Sequence, residues 1–173
     1  GPLARLTFDN PGKLNAMSLA MWEGLASHCA ALAADGAVRA VVLEGAGERA
    51  FVSGADISEF GAARTGEDAA GRYNAAVAQA ERALAELPVP TIAAIRGYCI
   101  GGGLSIALRC DLRLAAEGSR FAIPAARLGL GYGADGVAAL ARVVGPSVAA
   151  VVLFTARRIG AEEALRLGLV NRV

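Results

Sequence analysis

Two hydrophobic patterns alternate along the chain. Short runs rich in β-branched residues predict strands, whereas Ala- and Leu-rich stretches with apolar residues every three or four positions predict helices. Strand follows helix repeatedly, so the pattern indicates an α/β protein with a largely parallel sheet covered by helices. The predicted strands are Ala4–Phe8, Arg39–Gly45, Pro90–Gly97 and Asp111–Ala116.

Helix signals punctuate the rest of the sequence. Ser18 is a predicted N-cap before "LAMWEGLASHCAALAAD", in which Trp22, like the preceding Met17, fits core spacing. A longer helix is predicted from about Gly71 to Leu87, ending before "PVP", and "GAARTGEDAAG" between the two helices is predicted to be a mobile polar connection. The chain after Gly133 is predicted to be helical, with boundaries at Asp135, Pro146 and Gly160.

Length and charge narrow the class of protein. With 173 residues, 55% of them hydrophobic, residues 1–173 are predicted to form one domain with a substantial core. The net charge is +1 and the charges are interspersed, which argues against a nucleic-acid surface and favours a small or apolar ligand. The longest uncharged run, Val143 to Ala156, contains Gly145 and Pro146 and is shorter than the roughly 20 residues of a membrane span, so no membrane partner is expected.

The cysteines and the single histidine point to structural roles. Cys29, Cys99 and Cys110 are odd in number and lack metal-ligand spacing, so we expect buried, reduced thiols in a cytoplasmic chain. His28 falls within a helical pattern and is expected to be structural. No metal site is predicted.

Three consecutive glycines, Gly101 to Gly103, stand at the start of an apolar helix in "GYCIGGGLSIALRCD". Backbone N–H groups in the first turn of a helix have no intrahelical acceptor and lie at the positive end of its dipole. Glycine lets a ligand approach such a turn, but it also permits a close helix–strand crossing, and both interpretations stay open.

A second turn leaves a strand through Ser53 and Gly54 in "AFVSGADISEF". If the two turns converge, they aim two N–H donors at one oxygen, the arrangement that stabilises an enolate or tetrahedral oxyanion. Two such turns together indicate an oxyanion-binding site far more specifically than either turn alone.

Three further stretches belong to the same pattern: "NPGKLNAMS" precedes the two turns, and "FAIPAARLGLGYGADGVAAL" and "GPSVAAVVLFTARRIGAEEALRLGLVNRV" follow them. Together the five stretches resemble the crotonase superfamily, also called the enoyl-CoA hydratase/isomerase family. The resemblance covers essentially the whole chain. It implies a ClpP/crotonase-type spiral of ββα units with covering helices, assembled as homotrimers or hexamers. It also implies an acyl-CoA thioester substrate in fatty-acid or related metabolism, with coenzyme A carried on the substrate and no tightly bound cofactor. Family chains normally continue through several more helices, so the 173 residues are expected to be the core domain without that segment.

Site residues follow from the same resemblance. The backbone N–H groups of Ala55 and Gly102 match the family's oxyanion hole for the thioester carbonyl, and Asp56 is expected to hold the oxyanion loop. The positions predicted to bind substrate or coenzyme A are Lys13, Leu14, Ala16, Ser53, Gly54, Asp56, Ile57, Gly101, Gly103, Pro124, Leu128 and Tyr132.

The general acid and the general base of the reaction are less clearly indicated by the sequence than the oxyanion hole. Hydratases of the family use two glutamates, and Ser105 and Ala125 occupy the matching positions here. Ser105 either orients a water or substrate hydroxyl or packs as a small helix residue. Asp135 is either a base that moves a proton between the α and γ carbons of an enoyl thioester or a helix N-cap.

Other polar residues are expected to be structural. Tyr98 and Tyr132 are pocket hydroxyls or, more simply, packing residues, and Asp111 and Arg113 are predicted to form polar contacts at a strand start.

Three functions therefore compete. The first is an enoyl-CoA hydratase- or isomerase-like lyase with relocated acid–base chemistry. The second is a protein that binds acyl-CoA without turnover, and the third is an enzyme of another enolate reaction, such as decarboxylation or thioester hydrolysis, in which the oxyanion hole supplies most of the rate.

Overall fold

The structure, a computed structural model, describes residues 1–56, 58 and 67–173, with residues 67–70 described by their backbone alone. The predicted site residue Ile57 and residues 61–66 of the predicted polar connection lie outside the described residues.

The described chain contains eight strands and six α-helices. The strands are β1 (Leu3–Phe8), β2 (Ala40–Gly45), β3 (Ala50–Val52), β4 (Thr91–Ile95), β5 (Tyr98–Ile100), β6 (Leu112–Ala115), β7 (Arg120–Ala122) and β8 (Ile159–Gly160). The helices are α1 (Leu19–Ala34), α2 (Glu67–Ala85), α3 (Gly102–Arg109), α4 (Ala134–Val144), α5 (Pro146–Thr155) and α6 (Ala161–Arg166), with 3₁₀ helices at Pro11–Lys13 and Ala125–Leu128.

The strands form two sheets where the hydrophobic pattern predicted one. The first sheet has the order β1-β2-β4-β6 and is parallel throughout. The second has the order β3-β5-β7-β8, in which only the β7–β8 pair is antiparallel. The strands of the second sheet are two or three residues long, too short to show a period of their own.

A repeated unit explains the two sheets. β2 and β3 precede α2, and β4 and β5 precede α3, with the first strand of each pair in one sheet and the second in the other. The break between β4 and β5 falls at Gly97, where φ is +64° and an added Cβ would lie 2.0 Å from the carbonyl oxygen of Arg49. The chain therefore turns from one sheet to the other at a position that only glycine fits.

Helix boundaries agree with the sequence at some sites and differ at others. Ser18 caps α1, because its side chain accepts a hydrogen bond from the N–H of Met21. Helix α2 begins at Glu67, so the end of the predicted polar connection is helical. The alternative of Asp135 as an N-cap is wrong, since Gly133 caps α4 and Asp135 lies inside its first turn.

The core lies between the sheets and the helices. Met17 and Trp22 are buried, as predicted, and the indole Nε1 of Trp22 donates to the Tyr73 hydroxyl at 3.0 Å, joining α1 to α2. The cysteines Cys29, Cys99 and Cys110 are free and buried, also as predicted.

The predicted polar contacts at a strand start are confirmed. The Oδ2 atom of Asp111 accepts hydrogen bonds from the N–H and the hydroxyl of Thr91 at 2.8 and 3.0 Å. The buried Arg113 guanidinium donates to the carbonyl oxygens of Leu169 and Cys110. Tyr98, by contrast, is 37% exposed beside Arg158, so it neither packs in the core nor reaches an enclosed pocket.

No helix in the part of the chain that the structure describes is long and apolar enough to cross a bilayer.

Candidate functional site

The two glycine turns predicted from the sequence follow neighbouring parallel strands. The first, Ser53 to Ala55, follows β3, and the second, Gly101 to Gly103, follows β5. The carboxyl ends of adjacent parallel strands lie at one edge of a sheet, and ligands commonly bind at such an edge. The sheet itself therefore places the two turns side by side.

The first turn is held by a bridge to the loop before α1. The N–H of Met17 donates to the carbonyl oxygen of Gly54 at 2.8 Å, and the N–H of Asp56 donates to the carbonyl oxygen of Met17 at 2.9 Å. Both bonds flank Ala55 on one side. Because successive backbone groups of an extended segment point to opposite sides, the N–H of Ala55 points away from Met17.

The three glycines of the second turn meet three different constraints. Gly101 has φ +54°, in the left-handed region. A Cβ on Gly102 would lie 3.2 Å from Cζ2 of Trp22, and a Cβ on Gly103 would lie 2.2 Å from the carbonyl oxygen of Val52. The close helix–strand crossing thus accounts for Gly103, while its predicted contact with substrate stays a prediction.

The two turns touch each other at the backbone. The carbonyl carbon of Gly54, which is bonded to the nitrogen of Ala55, lies 4.0 Å from the position of a Cβ on Gly102. Among the described residues, neither the N–H of Ala55 nor that of Gly102 has a hydrogen-bond acceptor, whereas the N–H of Gly101 donates to Ala122 at 2.8 Å. Two neighbouring unpaired donors, one at a helix N-terminus, can hold a partly negative oxygen.

Charged and polar side chains brace the first turn. The ammonium of Lys13 donates to Oδ2 of Asp56 and to the hydroxyl of Ser58, both at 2.7 Å. The Ser53 hydroxyl donates to the carbonyl oxygen of Lys13 at 3.2 Å, and its N–H donates to the carbonyl oxygen of Leu14 at the same distance. The hydrogen bond from Lys13, followed by that from Ser58, lowers the pKa of Asp56, so this carboxylate is ionised and holds the loop.

Asn15 is a site residue that sequence reasoning missed. Its amide Nδ2 donates to the carbonyl oxygens of Ala46 and Ala50 at 3.0 and 2.8 Å, and the residue is buried with φ +56°. Asparagine tolerates this left-handed conformation better than most residues. The neighbouring Ala16 is buried, and its carbonyl oxygen accepts from the side chain of Asn10 at 3.0 Å. Asn15 therefore shapes the loop that carries Lys13 and Leu14.

The stretch after β7 lies over the second turn. The Cδ atom of Pro124 lies 3.9 Å from the position of a Cβ on Gly101. Ala125, at the start of the following 3₁₀ helix, is half-buried against the core and carries no polar side chain. Leu128, at the end of that helix, is 63% exposed, so its predicted contact with substrate would need a ligand that covers it.

Ser105 lies one helical turn below Gly102 and has a carboxylate partner. Its hydroxyl forms a short hydrogen bond with Oε1 of Glu81, which comes from α2. The guanidinium of Arg109 donates to the other oxygen, Oε2, at 2.7 and 3.2 Å, and the Glu81 and Arg109 side chains are only 12% and 16% exposed. Ser105 thus packs inside the helix layer and is hydrogen-bonded as well.

Glu81 was not among the predicted site residues, although the sequence carries a signal for it. Val77, Ala80 and Leu84 form the inner stripe of α2, and Glu81 interrupts that stripe at the spacing of a buried position. A carboxylate on an apolar helix face needs a partner, so a buried polar contact was to be expected.

The hydroxyl of Tyr132 is a further buried polar group in this part of the structure. It has no hydrogen-bond partner among the described residues. Burial raises the pKa of Tyr132, and a weaker interaction with Ser105 lowers it. The ring lies against Gly136, where an added Cβ would be 2.6 Å from Cε1.

Asp135 stands apart from this cluster. It is exposed in the first turn of α4, and the described residues give it no hydrogen bond or ion pair. An acidic side chain in this position interacts favourably with the helix dipole.

A groove of about 760 Å³ lies elsewhere on the molecule, between β1 and α1. His28, exposed on α1, is among its lining residues, and neither glycine turn reaches it. The described residues contain no group of three or more His, Cys, Asp or Glu side chains that could hold a metal ion.

Comparison with known proteins identifies the family. The enoyl-CoA hydratase/isomerase family model matches residues 1–173. The chain is 40% identical over its whole length to a short-chain-enoyl-CoA hydratase of Clostridium acetobutylicum, of which it covers 66%. It is 36% identical over 99% of its length to a crotonyl-CoA hydratase of Syntrophomonas wolfei, of which it covers 65%.

Solved structures show the same fold. An enoyl-CoA hydratase/carnithine racemase from Magnetospirillum magneticum superposes with a TM-score of 0.96 at 39% identity, over all of this chain and 65% of that one. A putative enoyl-CoA hydratase/isomerase family protein from Hyphomonas neptunium gives 0.95 at 40% identity, over 99% of this chain and 65% of that one. The crotonase-like fold is thereby confirmed, and the chain spans slightly less than two thirds of the length of these relatives.

Proposed function

This chain belongs to the enoyl-CoA hydratase/isomerase family, and on that premise we propose that it binds an acyl-CoA thioester and stabilises the thioester enolate between the N–H groups of Ala55 and Gly102. The observation that carries the proposal is the pair of unpaired donors on two touching turns. When a proton leaves the α-carbon, or a nucleophile adds to the β-carbon, negative charge moves to the thioester oxygen. Donors already in place stabilise that charge without reorganising, which lowers the barrier.

The loop that carries Lys13, Leu14 and Ala16 is proposed to bind the coenzyme A part of the substrate. It is fixed to the first turn through Asp56 and Ser53, so binding of the carrier and placement of the thioester carbonyl are linked. Half of the Lys13 side chain is exposed, which leaves its charge accessible to an anionic ligand. No tightly bound cofactor is needed in this proposal.

Hydration or isomerisation by a lyase-type enzyme is the proposed reaction, by similarity to the named relatives. The alternatives are decarboxylation, thioester hydrolysis or binding without turnover. They are favoured by Ser105 and Ala125, which bring no carboxylate of their own to the positions where the family's hydratases carry glutamate. Asp135 is the candidate base if the acid–base group lies on α4.

The assembly and location of the protein are proposed on the same basis. We propose a cytoplasmic homotrimer or hexamer, and the exposed apolar side chains of Phe154 and Val151 on α5, 80% and 48% exposed, support an assembly between copies. Sedimentation equilibrium tests it against the 17.5 kDa mass of the single chain.

The first experiment offers the protein a short and a medium trans-2-enoyl-CoA separately. Loss of the conjugated-thioester absorbance is followed, and products are identified by mass spectrometry. We expect saturable turnover to a water adduct or a shifted double bond. No turnover, with a ligand-induced rise in melting temperature in the same samples, would instead favour binding alone or another thioester reaction.

A further inference from the structure

The family's usual carboxylates are replaced in this chain, yet a carboxylate lies beside the candidate oxyanion turn. Glu81 reaches from α2 to the hydroxyl of Ser105, and Ser105 lies on the same helix as the Gly102 donor. The Cα–Cβ bond of a helical residue tilts toward the helix N-terminus, so the Cβ of Ser105 is displaced toward the turn that carries Gly102. The contact therefore joins a base to the site through one side chain.

The hydrogen-bond pattern fixes the direction of proton donation. Both N–H donors from Arg109 go to Oε2 of Glu81, which leaves Oε1 for the serine. An ionised carboxylate only accepts hydrogen bonds, so Ser105 donates its hydroxyl proton to Glu81. The serine oxygen then keeps its lone pairs available for a proton from a bound molecule.

The surroundings keep this pair in place. Ser105 is 8% exposed, and the Glu81–Arg109 ion pair is largely shielded from water, where such contacts are stronger than at the surface. The Tyr132 hydroxyl is buried without a hydrogen-bond partner among the described residues, and burial raises its pKa, so it is neutral at neutral pH.

We propose that Ser105 and Glu81 form the proton relay of this site, with Ser105 as the residue that touches the substrate and Arg109 as a positioning residue. The inference rests on the proposed function.

In the forward step the Cα–H bond of an acyl-CoA breaks, and its proton passes to Oγ of Ser105. The serine's own proton passes at the same time to Oε1 of Glu81. The electron pair of the C–H bond becomes the enolate, whose charge rests on the thioester oxygen between Ala55 and Gly102.

The reverse step returns a proton to carbon and restores both side chains. If the relay has exchanged its proton with solvent, return to the same carbon labels that carbon. If the substrate is an enoyl thioester, the enolate is conjugated with the double bond, and return of the proton to the γ carbon shifts that double bond. In hydration the same relay takes a proton from water as the oxygen adds to the β-carbon, then delivers that proton to the α-carbon. None of these three reactions, exchange, isomerisation or hydration, requires a second carboxylate.

The test is exchange of the α-protons of butyryl-CoA in D₂O, measured by mass spectrometry, with binding of the same compound measured by calorimetry. The wild-type protein is expected to incorporate deuterium. Glu81→Gln is expected to reduce the exchange rate about 10²- to 10⁴-fold with an unchanged Kd for butyryl-CoA, the range of a lost general base. Glu86→Gln, an exposed position just beyond α2, is the matched control and should exchange like wild type.

Two further variants separate the relay from a structural role. Ser105→Ala removes the hydroxyl and leaves the Glu81–Arg109 pair intact, so it should fold and still lose exchange. Glu81→Asp keeps a carboxylate and should recover part of the exchange rate that Glu81→Gln loses, whereas Ser105→Ala should lose exchange with the ion pair still in place.

The outcomes are distinct. Wild-type exchange with equally fast exchange in a folded Glu81→Gln or Ser105→Ala protein overturns the relay and leaves the proposed function standing. Absence of exchange in the wild-type protein overturns the proposed function, and the relay with it.

Discussion

The ammonium of Lys13 lies 2.7 Å from Oδ2 of Asp56, a carboxylate that is 5% exposed and belongs to the first glycine turn. This ion pair ties the loop after β1 to the loop after β3, 43 residues apart in the chain. The placement of the Ala55 donor therefore depends on a charge.

We expect that dependence to appear as a pH effect on stability. The pKa of Asp56 in the folded protein lies below its ordinary value of 3.8, so the ionised form stabilises the fold. This contribution is complete above pH 3.8 and is lost as the pH falls through the lower, folded pKa. Urea unfolding should show Asp56→Asn to be less stable than wild type at pH 7, with a difference that shrinks below pH 3.8. The exposed Asp9→Asn is the control, and a pH-independent difference would contradict the role of the charge.

Gly103→Ala should destabilise the protein by about 1–3 kcal/mol, because its Cβ would lie 2.2 Å from the carbonyl oxygen of Val52. Gly24→Ala is the matched control, since it lies in α1 with open space around its Cα. Its free energy of unfolding should rise by about 0.5–1 kcal/mol. Equal effects of the two substitutions in urea titrations would contradict the close crossing.

A pair of substitutions at Gly102 isolates the donor from the added carbon. Gly102→Ala and Gly102→Pro both place a Cβ toward Trp22, but only proline removes the N–H. Gly102 is the first residue of α3, a position where proline is tolerated. Relative to Gly102→Ala, Gly102→Pro should reduce α-proton exchange about 10²- to 10³-fold. Similar rates in two folded variants would show that this donor does not act.

Asp135→Asn distinguishes a helix-dipole role from proton transfer. Its place in the first turn of α4 predicts a loss of about 0.3–1 kcal/mol in unfolding free energy, reduced by added salt. A loss of turnover in a variant with this small change in stability would assign the base to Asp135 in place of Glu81.

The thiols should react only when the protein opens. Burial raises the pKa of Cys29 to about 11 and that of Cys110 to about 12, and it also raises the pKa of Cys99. Near pH 8 all three are protonated and shielded, so a disulfide reagent such as DTNB should label the native protein slowly and all three thiols rapidly in urea. Fast labelling of one thiol in the native protein would show that the structure around that cysteine opens locally.

The longer elements could be predicted from the sequence because they carry their own periodicity. Strand β2 was placed within one residue at its start, and the Ser18 cap of α1 was identified by its residue type. The second sheet was not predicted from the hydrophobic pattern, since Tyr98–Ile100 and Arg120–Ala122 are too short to alternate visibly. Pairing between distant segments, not local preference, makes these residues strands.

The candidate site, like the fold, could be predicted from the sequence only in part. The turns at Gly54 and Gly101 were visible because glycine marks unusual backbone. The contact between Ser105 and Glu81 joins residues 24 positions apart on two helices, so the sequence around either residue does not identify its partner. Only the interruption of the apolar stripe of α2 by a carboxylate indicated that a buried partner existed.

The two candidate donors follow β3 and β5, which are adjacent hydrogen-bonded strands. Their separation is therefore governed by the spacing between neighbouring strands, about 4.8 Å in any sheet, and not by the choice of side chains around them. Substitutions that replace acids and bases leave that spacing unchanged as long as the sheet forms. The backbone positions of Ala55 and Gly102 are in this sense a property of the sheet, and they outlast changes in the side chains that surround them.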